Sequence, residues 1–63
     1  MRIGELARRA GVTTRTVRYY EGLGLLVSRR EGSGHRQYDD DALTRMANID
    51  WLKRMGLTLD EIA

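Results

Sequence analysis

Thr13-Thr14-Arg15-Thr16-Val17-Arg18-Tyr19-Tyr20 is the stretch whose reading decides the fold of this chain. Thr13 has the short side-chain oxygen that suits a helix N-cap. In the helix that follows, Val17 and Tyr20 fall three residues apart on one side, while Thr14, Arg15, Arg18, Tyr19 and Gly22 share the other. Adjacent helical residues lie about 100° apart, so Tyr19 and Tyr20 cannot point the same way. Tyr20 follows Val17 inward, and Tyr19 follows Arg15 and Arg18 outward. A B-form major groove offers guanine O6 and N7 to a forked donor, each bidentate pair being worth about 1–3 kcal/mol of discrimination. Arg15 and Arg18 at i and i+3 present two such donors, and Thr14 and Thr16 stand near the helix N-terminus, where phosphate contact is favoured. Two helices packed for structure alone would satisfy the same spacing. The basic, polar outward side weighs against that plainer reading.

Upstream, Ile3, Leu6, Ala7 and Ala10 fall at i, i+3, i+4 and i+7, the stripe of an amphipathic helix, and Gly11 stops it. A short link of Gly11 and Val12 then leads to the second helix. Helix, tight glycine-containing turn and second helix make the arrangement in which one helix braces another across a major groove. Ala7 is small where the helices cross, and Leu6, Ala10, Val12 and Val17 complete the shared core.

Downstream, Leu23 to Val27 reads as a chain reversal followed by a short strand, flanked by Ser28-Arg29-Arg30. Glu31-Gly32-Ser33-Gly34 is expected to turn and His35-Arg36-Gln37-Tyr38 to return as a second strand, giving a small two-stranded wing. Its basic edge is Arg29, Arg30, His35 and Arg36. A lone G-x-G without a βαβ context is a turn, not a nucleotide loop, and a single histidine with no cysteine or second histidine is no metal site. Asp39-Asp40-Asp41 opens a third helix, where carboxylates meet unpaired N–H groups and the positive end of the dipole. Three adjacent aspartates splay apart on a helix, which disfavours a metal reading. Leu43, Met46, Ile49, Leu52 and Met55 recur every three residues, with Ala47 and Trp51 beside them, as the expected inward side. Arg45, Asn48, Lys53 and Arg54 look out, and Gly56 ends the helix. Thr58-Leu59-Asp60-Glu61 is a capping-box pattern that starts a fourth helix.

The 63 residues make room for one domain, and a chain of that length buries only about 60% of the surface it exposes when unfolded. With no cysteine there is no disulfide framework, and no basic-then-apolar leader or membrane span is found. The net charge of +2 conceals an asymmetry: residues 1–38 carry +5 and residues 39–63 carry −3. One end is suited to a polyanion. Ten of the eleven basic residues are arginine, which favours bidentate contact with phosphate or guanine. Glu21 would repel phosphate if it faced DNA, so an ion pair with a nearby arginine is the expected role.

With I-G-E-L-A at residues 3–7, G-V-T at 11–13, T-V-R-Y-Y-E at 16–21, G-L-L at 24–26, H-R-Q-Y at 35–38 and M-G-L-T-L-D-E-I at 55–62, the whole chain resembles the N-terminal domain of the MerR family of bacterial transcription regulators. The resemblance implies a mostly α fold: a winged helix-turn-helix with a small two-stranded β wing, three helices and the start of a fourth, over residues 1–63. It implies that Arg18 and Tyr19 lie on DNA from the recognition helix, that Arg36 and Tyr38 of the wing grip the sugar-phosphate backbone, and that Arg15 helps to read bases. It further implies a double-stranded promoter as ligand, RNA polymerase as partner, and a homodimer formed through a long helix that follows, ahead of an effector region. Activation in that family comes from bending and untwisting promoter DNA.

The expected DNA-binding residues are therefore Thr14, Arg15, Thr16, Arg18, Tyr19, Arg29, Arg30, His35, Arg36 and Tyr38, with no cofactor in these residues and a cytoplasmic location. Two other roles suit the fold. An excisionase-like architectural DNA-binding protein shares the winged shape, although a fourth helix interrupted after Thr58 argues for a piece of a longer regulator. A protein-interaction module would carry apolar residues on the outward side of the second helix, and Thr14, Arg15, Arg18 and Tyr19 are not apolar. An enzyme is disfavoured by the lack of a cysteine nucleophile or phosphate loop.

Overall fold

The computed structural model describes residues 1–30, 32 and 34–63. The chain forms α1 (Ile3–Ala10), α2 (Thr14–Gly22), β1 (Arg29–Arg30), β2 (Arg36–Gln37), α3 (Asp40–Arg54) and α4 (Leu59–Ile62). Helix α1 packs against both α2 and α3, and α4 folds back on α3. The core is one apolar cluster: Leu6 and Ala7 from α1, Val17 and Tyr20 from α2, Leu25, Leu26 and Tyr38 from the segments around the wing, and Ala42, Met46 and Ile49 from α3. Among the described residues no helix is long and apolar enough to cross a membrane.

Local chemistry sets the helix ends. The Thr13 side chain accepts from the Thr16 N–H at 3.1 Å, Asp39 Oδ1 accepts from the Ala42 N–H at 3.3 Å, and Thr58 and Glu61 form a reciprocal capping box. Gly11 stops α1 at φ +74°, where the Val12 N–H reaches back to the Ala7 carbonyl at 2.9 Å. Gly24 does the same after α2 at φ +82°, with the Leu25 N–H on the Tyr20 carbonyl at 2.9 Å. Both closures are Schellman motifs, which need a left-handed residue just past the helix.

Three expectations are corrected. Leu23 to Val27 contains no strand; β1 lies farther on, at Arg29–Arg30. The Gly24 closure turns the chain so that Leu25 and Leu26 are both buried, which alternating strand residues over one sheet face would not allow. The proposed turn at residues 31–34 lies partly outside the described residues, and the returning strand is shorter than expected, Arg36–Gln37. On α3 the buried residues are Ala42, Met46 and Ile49, with Leu43 and Leu52 half-buried, while Trp51, Ala47 and Met55 are exposed. A three-residue repeat drifts by about 60° per step on a helix of 3.6 residues per turn. Leu43 and Met55 therefore lie on different sides, and only the middle of the expected stripe faces the core.

Candidate nucleic-acid interface

Helix α2 presents what its sequence divides. Val17 and Tyr20 are buried, whereas Arg15, Arg18 and Tyr19 are exposed, Tyr19 at 57%. Thr14 is half-buried at the helix start. Thr16 is also half-buried, and its hydroxyl lies 3.0 Å from that of Thr13, so the two threonines organise the cap together. The Tyr20 hydroxyl meets Lys53 Nζ at 3.4 Å at the edge of the core.

The wing pairs β1 with β2 antiparallel, Arg29 opposite Gln37 and Arg30 opposite Arg36. Directly opposed like charges destabilise a two-stranded ribbon. Of the Arg30–Arg36 pair, Arg36 is offset by its ion pair with the Glu21 carboxylate. Arg29, Arg30, His35 and Arg36 are all exposed.

Glu21 holds the wing to α2. Its carboxylate accepts from Ser28 Oγ at 3.0 Å, from the Tyr38 hydroxyl at 2.5 Å and from Arg36 at 2.5 Å, so the expected ion pair is present and its partner is Arg36. Burial alone would raise the Glu21 carboxyl, but the hydrogen bonds from Tyr38 and Ser28 and the Arg36 charge outweigh it and hold the group below its ordinary value. Tyr38 moves the other way: burial, then its bond to the Glu21 charge, raises its phenol, against a smaller opposing effect of Arg36.

The placement of Tyr38 corrects the expectation for that residue. It is 1% exposed, and its hydroxyl is given to a carboxylate beneath the wing, so in this fold it backs Arg36 at the inner wall of the groove and does not stand out from the wing. An aromatic residue after an alternating strand reads equally well as surface or core, and only the position of Glu21 decides between them.

The folded chain also brings forward a residue that the sequence did not single out. An open groove runs between the start of α1, α2 and the wing, with Arg2, Arg18, His35 and Arg36 lining it beside Ile3, Gly34 and Tyr38. The sequence signal for Arg2 was weak: one basic residue at the edge of a helix, 16 positions before Arg18.

A family model described as the MerR HTH family regulatory protein matches residues 1–63. The chain belongs to the MerR family. It is 51% identical over 61 residues to the HTH-type transcriptional regulator CueR of Bacillus subtilis, covering 97% of this chain and 43% of that protein. It is 45% identical over 62 residues to the HTH-type transcriptional activator TipA of Streptomyces coelicolor, covering 97% of this chain and 24% of TipA. The chain thus spans less than half the length of either relative. Its fold matches the crystal structure of HiNmlR, a MerR family regulator lacking the sensor domain and bound to promoter DNA. That match has a TM-score of 0.88 at 29% identity and covers 97% of this chain and 49% of that one. These MerR relatives are transcription regulators, and residues 1–63 make up the DNA-binding domain of that family, which favours this reading over an excisionase-like protein or an interaction module.

Proposed function

We propose that this MerR domain binds promoter DNA by laying α2 in the major groove and the wing on the adjacent backbone. Arg15 and Arg18 read base edges, Thr14 and Tyr19 contact flanking phosphates, and Arg29, Arg30, His35 and Arg36 supply the cationic edge of the wing. The observation that carries the reading is the split of α2: Val17 and Tyr20 close the core, while the exposed side chains are Arg15, Arg18 and Tyr19 and the one carboxylate, Glu21, is turned to the wing. Thr16 serves through the cap, and Tyr38 serves by orienting Arg36.

The resemblance to MerR regulators extends the proposal to the longer protein. It acts as a homodimer in the bacterial cytoplasm and works with RNA polymerase on promoters. The role proposed for residues 1–63 uses no cofactor and no catalytic group.

Selection of duplexes from a random library, followed by titration of the selected and scrambled sequences, tests the division of labour. Arg18→Ala should weaken the selected site more than the scrambled one, by about 1–3 kcal/mol, whereas Arg36→Ala should weaken both alike. Equal losses for the two variants on both duplexes would overturn the assignment of α2 to bases and the wing to backbone.

A further inference from the structure

Arg2 occupies the N-cap position of α1, with extended backbone at φ −81° and ψ 167°, yet its side chain makes no capping hydrogen bond. Serine, threonine, aspartate or asparagine at this position stabilises a helix by accepting from a free N–H group. Here the position carries a long cation at the positive end of a helix dipole, a placement unfavourable for stability. The backbone around it is fixed: the Tyr38 N–H donates to the Met1 carbonyl at 2.7 Å, and the Met1 nitrogen donates to the Tyr38 carbonyl at 2.5 Å. Arg2 is thereby held against the foot of the wing, in one groove with Arg18, His35 and Arg36.

Among the described residues the charges of the groove do not balance. Three guanidinium groups line it, and the carboxylate bonded to one of them, Glu21, is already shared among Arg36, Tyr38 and Ser28. Glu5, the acid in the first turn of α1, is turned to Arg9 at 2.8 Å. Among the described residues neither Arg2 nor Arg18 forms an ion pair. Converging cations of this kind are stabilised by an anion with several acceptor oxygens.

We propose that Arg2 closes a clamp on one backbone phosphate of duplex DNA, gripping it from the α1 side while Arg36 approaches from the wing, with Arg18 between them free to reach the bases. The α1 N-terminus, with its unpaired N–H groups, adds to the field at the same place. The inference rests on the DNA-binding reading above and assigns it a third element, making the first helix a contact as well as a brace.

The test is the salt dependence of binding to a short duplex of mixed sequence, measured by fluorescence anisotropy together with thermal unfolding. Each phosphate contact contributes about 0.9 to the slope of log K against log salt, so Arg2→Ser should flatten that slope by about 0.9. Its affinity deficit relative to wild type should then shrink about 3.5-fold between about 50 and 200 mM salt. Because serine can cap α1, the Tm of Arg2→Ser should stay level or rise, which separates lost contact from lost structure. Arg2→Lys should keep the wild-type slope, and Arg9→Ala, which removes the same charge outside the groove, should leave it unchanged. An Arg2→Ser slope equal to that of Arg9→Ala overturns the clamp, as does a fall in Tm with a slope that lysine fails to restore. If Arg36→Ala flattens the slope and Arg2→Ser does not, the clamp alone fails. If wild type itself does not bind duplex, the DNA reading falls and takes the clamp with it.

Discussion

The helix-turn-helix and the wing stand side by side and are held by opposite kinds of force. The first is closed by apolar side chains from three helices, with Leu6 and Val17 fully buried. The second is a ribbon of two-residue strands whose members are mostly exposed, and a hairpin of that size is marginal by itself. It stays in place because one carboxylate, Glu21, gathers Ser28, Arg36 and Tyr38, and because Tyr38 and Met1 exchange backbone hydrogen bonds. Apolar packing is non-directional and changes little with pH or salt. A tether of charge-assisted hydrogen bonds is directional and responds to protonation and to competing anions. In the proposed function the bases fall to the element fixed by packing, and the backbone to the element that electrostatics can adjust.

The contrast can be broken most forcefully at Leu6. Leu6→Ala removes a fully buried side chain at the junction of α1, α2 and α3 and should cost about 3 kcal/mol, a large share of the stability of so small a domain. Chemical denaturation should show both regions lost together. Glu21→Gln should cost about 2 kcal/mol, the scale of hydrogen bonds to a charged group. Hydrogen exchange should then accelerate at the amides of β1 and β2 well before those of α1 and α2. Uniform acceleration across all four elements would remove the distinction between the regions.

Titration reaches the same contact. The Glu21 carboxyl is held below its ordinary value of 4.5 in the folded chain. Its contribution is thus fully present above that pH and is lost as the pH falls below it toward the folded-state value. Acid unfolding of wild type should carry this component and that of Glu21→Gln should lack it, so the gap in Tm between the two proteins should narrow on acidification through that range. Thr13→Ala removes the cap of α2 and should cost about 1 kcal/mol, exposing how much of the reading helix depends on local chemistry as opposed to packing. The smallest effect should come from Glu5→Gln, which breaks an exposed pair with Arg9 worth about 0.3 kcal/mol.

Much of this is written locally in the sequence. Thr13, Asp39 and Thr58 cap the helices where short polar side chains precede an apolar stripe, and Gly11 ends α1, because caps and left-handed glycines act over four or five residues of chain. The two-sided character of α2 follows from helical period alone, and the tie of Glu21 to an arginine follows from the cost of facing phosphate with a carboxylate.

Other features depend on residues far apart in the sequence. Which side of α3 is inward does not follow from the three-residue repeat, which drifts around the helix, and burial is settled by where α1 and α4 lie against it. Leu25 and Leu26 resembled strand residues until the Gly24 closure turned them into the core. Choosing Arg36 as the partner of Glu21, burying Tyr38 beneath the wing and bringing Arg2 into one groove with Arg18 each required packing that no local pattern encodes. The sequence alone determined the helices, their ends and the polar side of α2, since those obey rules spanning one or two turns. Only the tertiary structure decided how the wing is fastened and where cations from three elements converge, because contacts between residues 15 to 37 positions apart exist only once the core has closed.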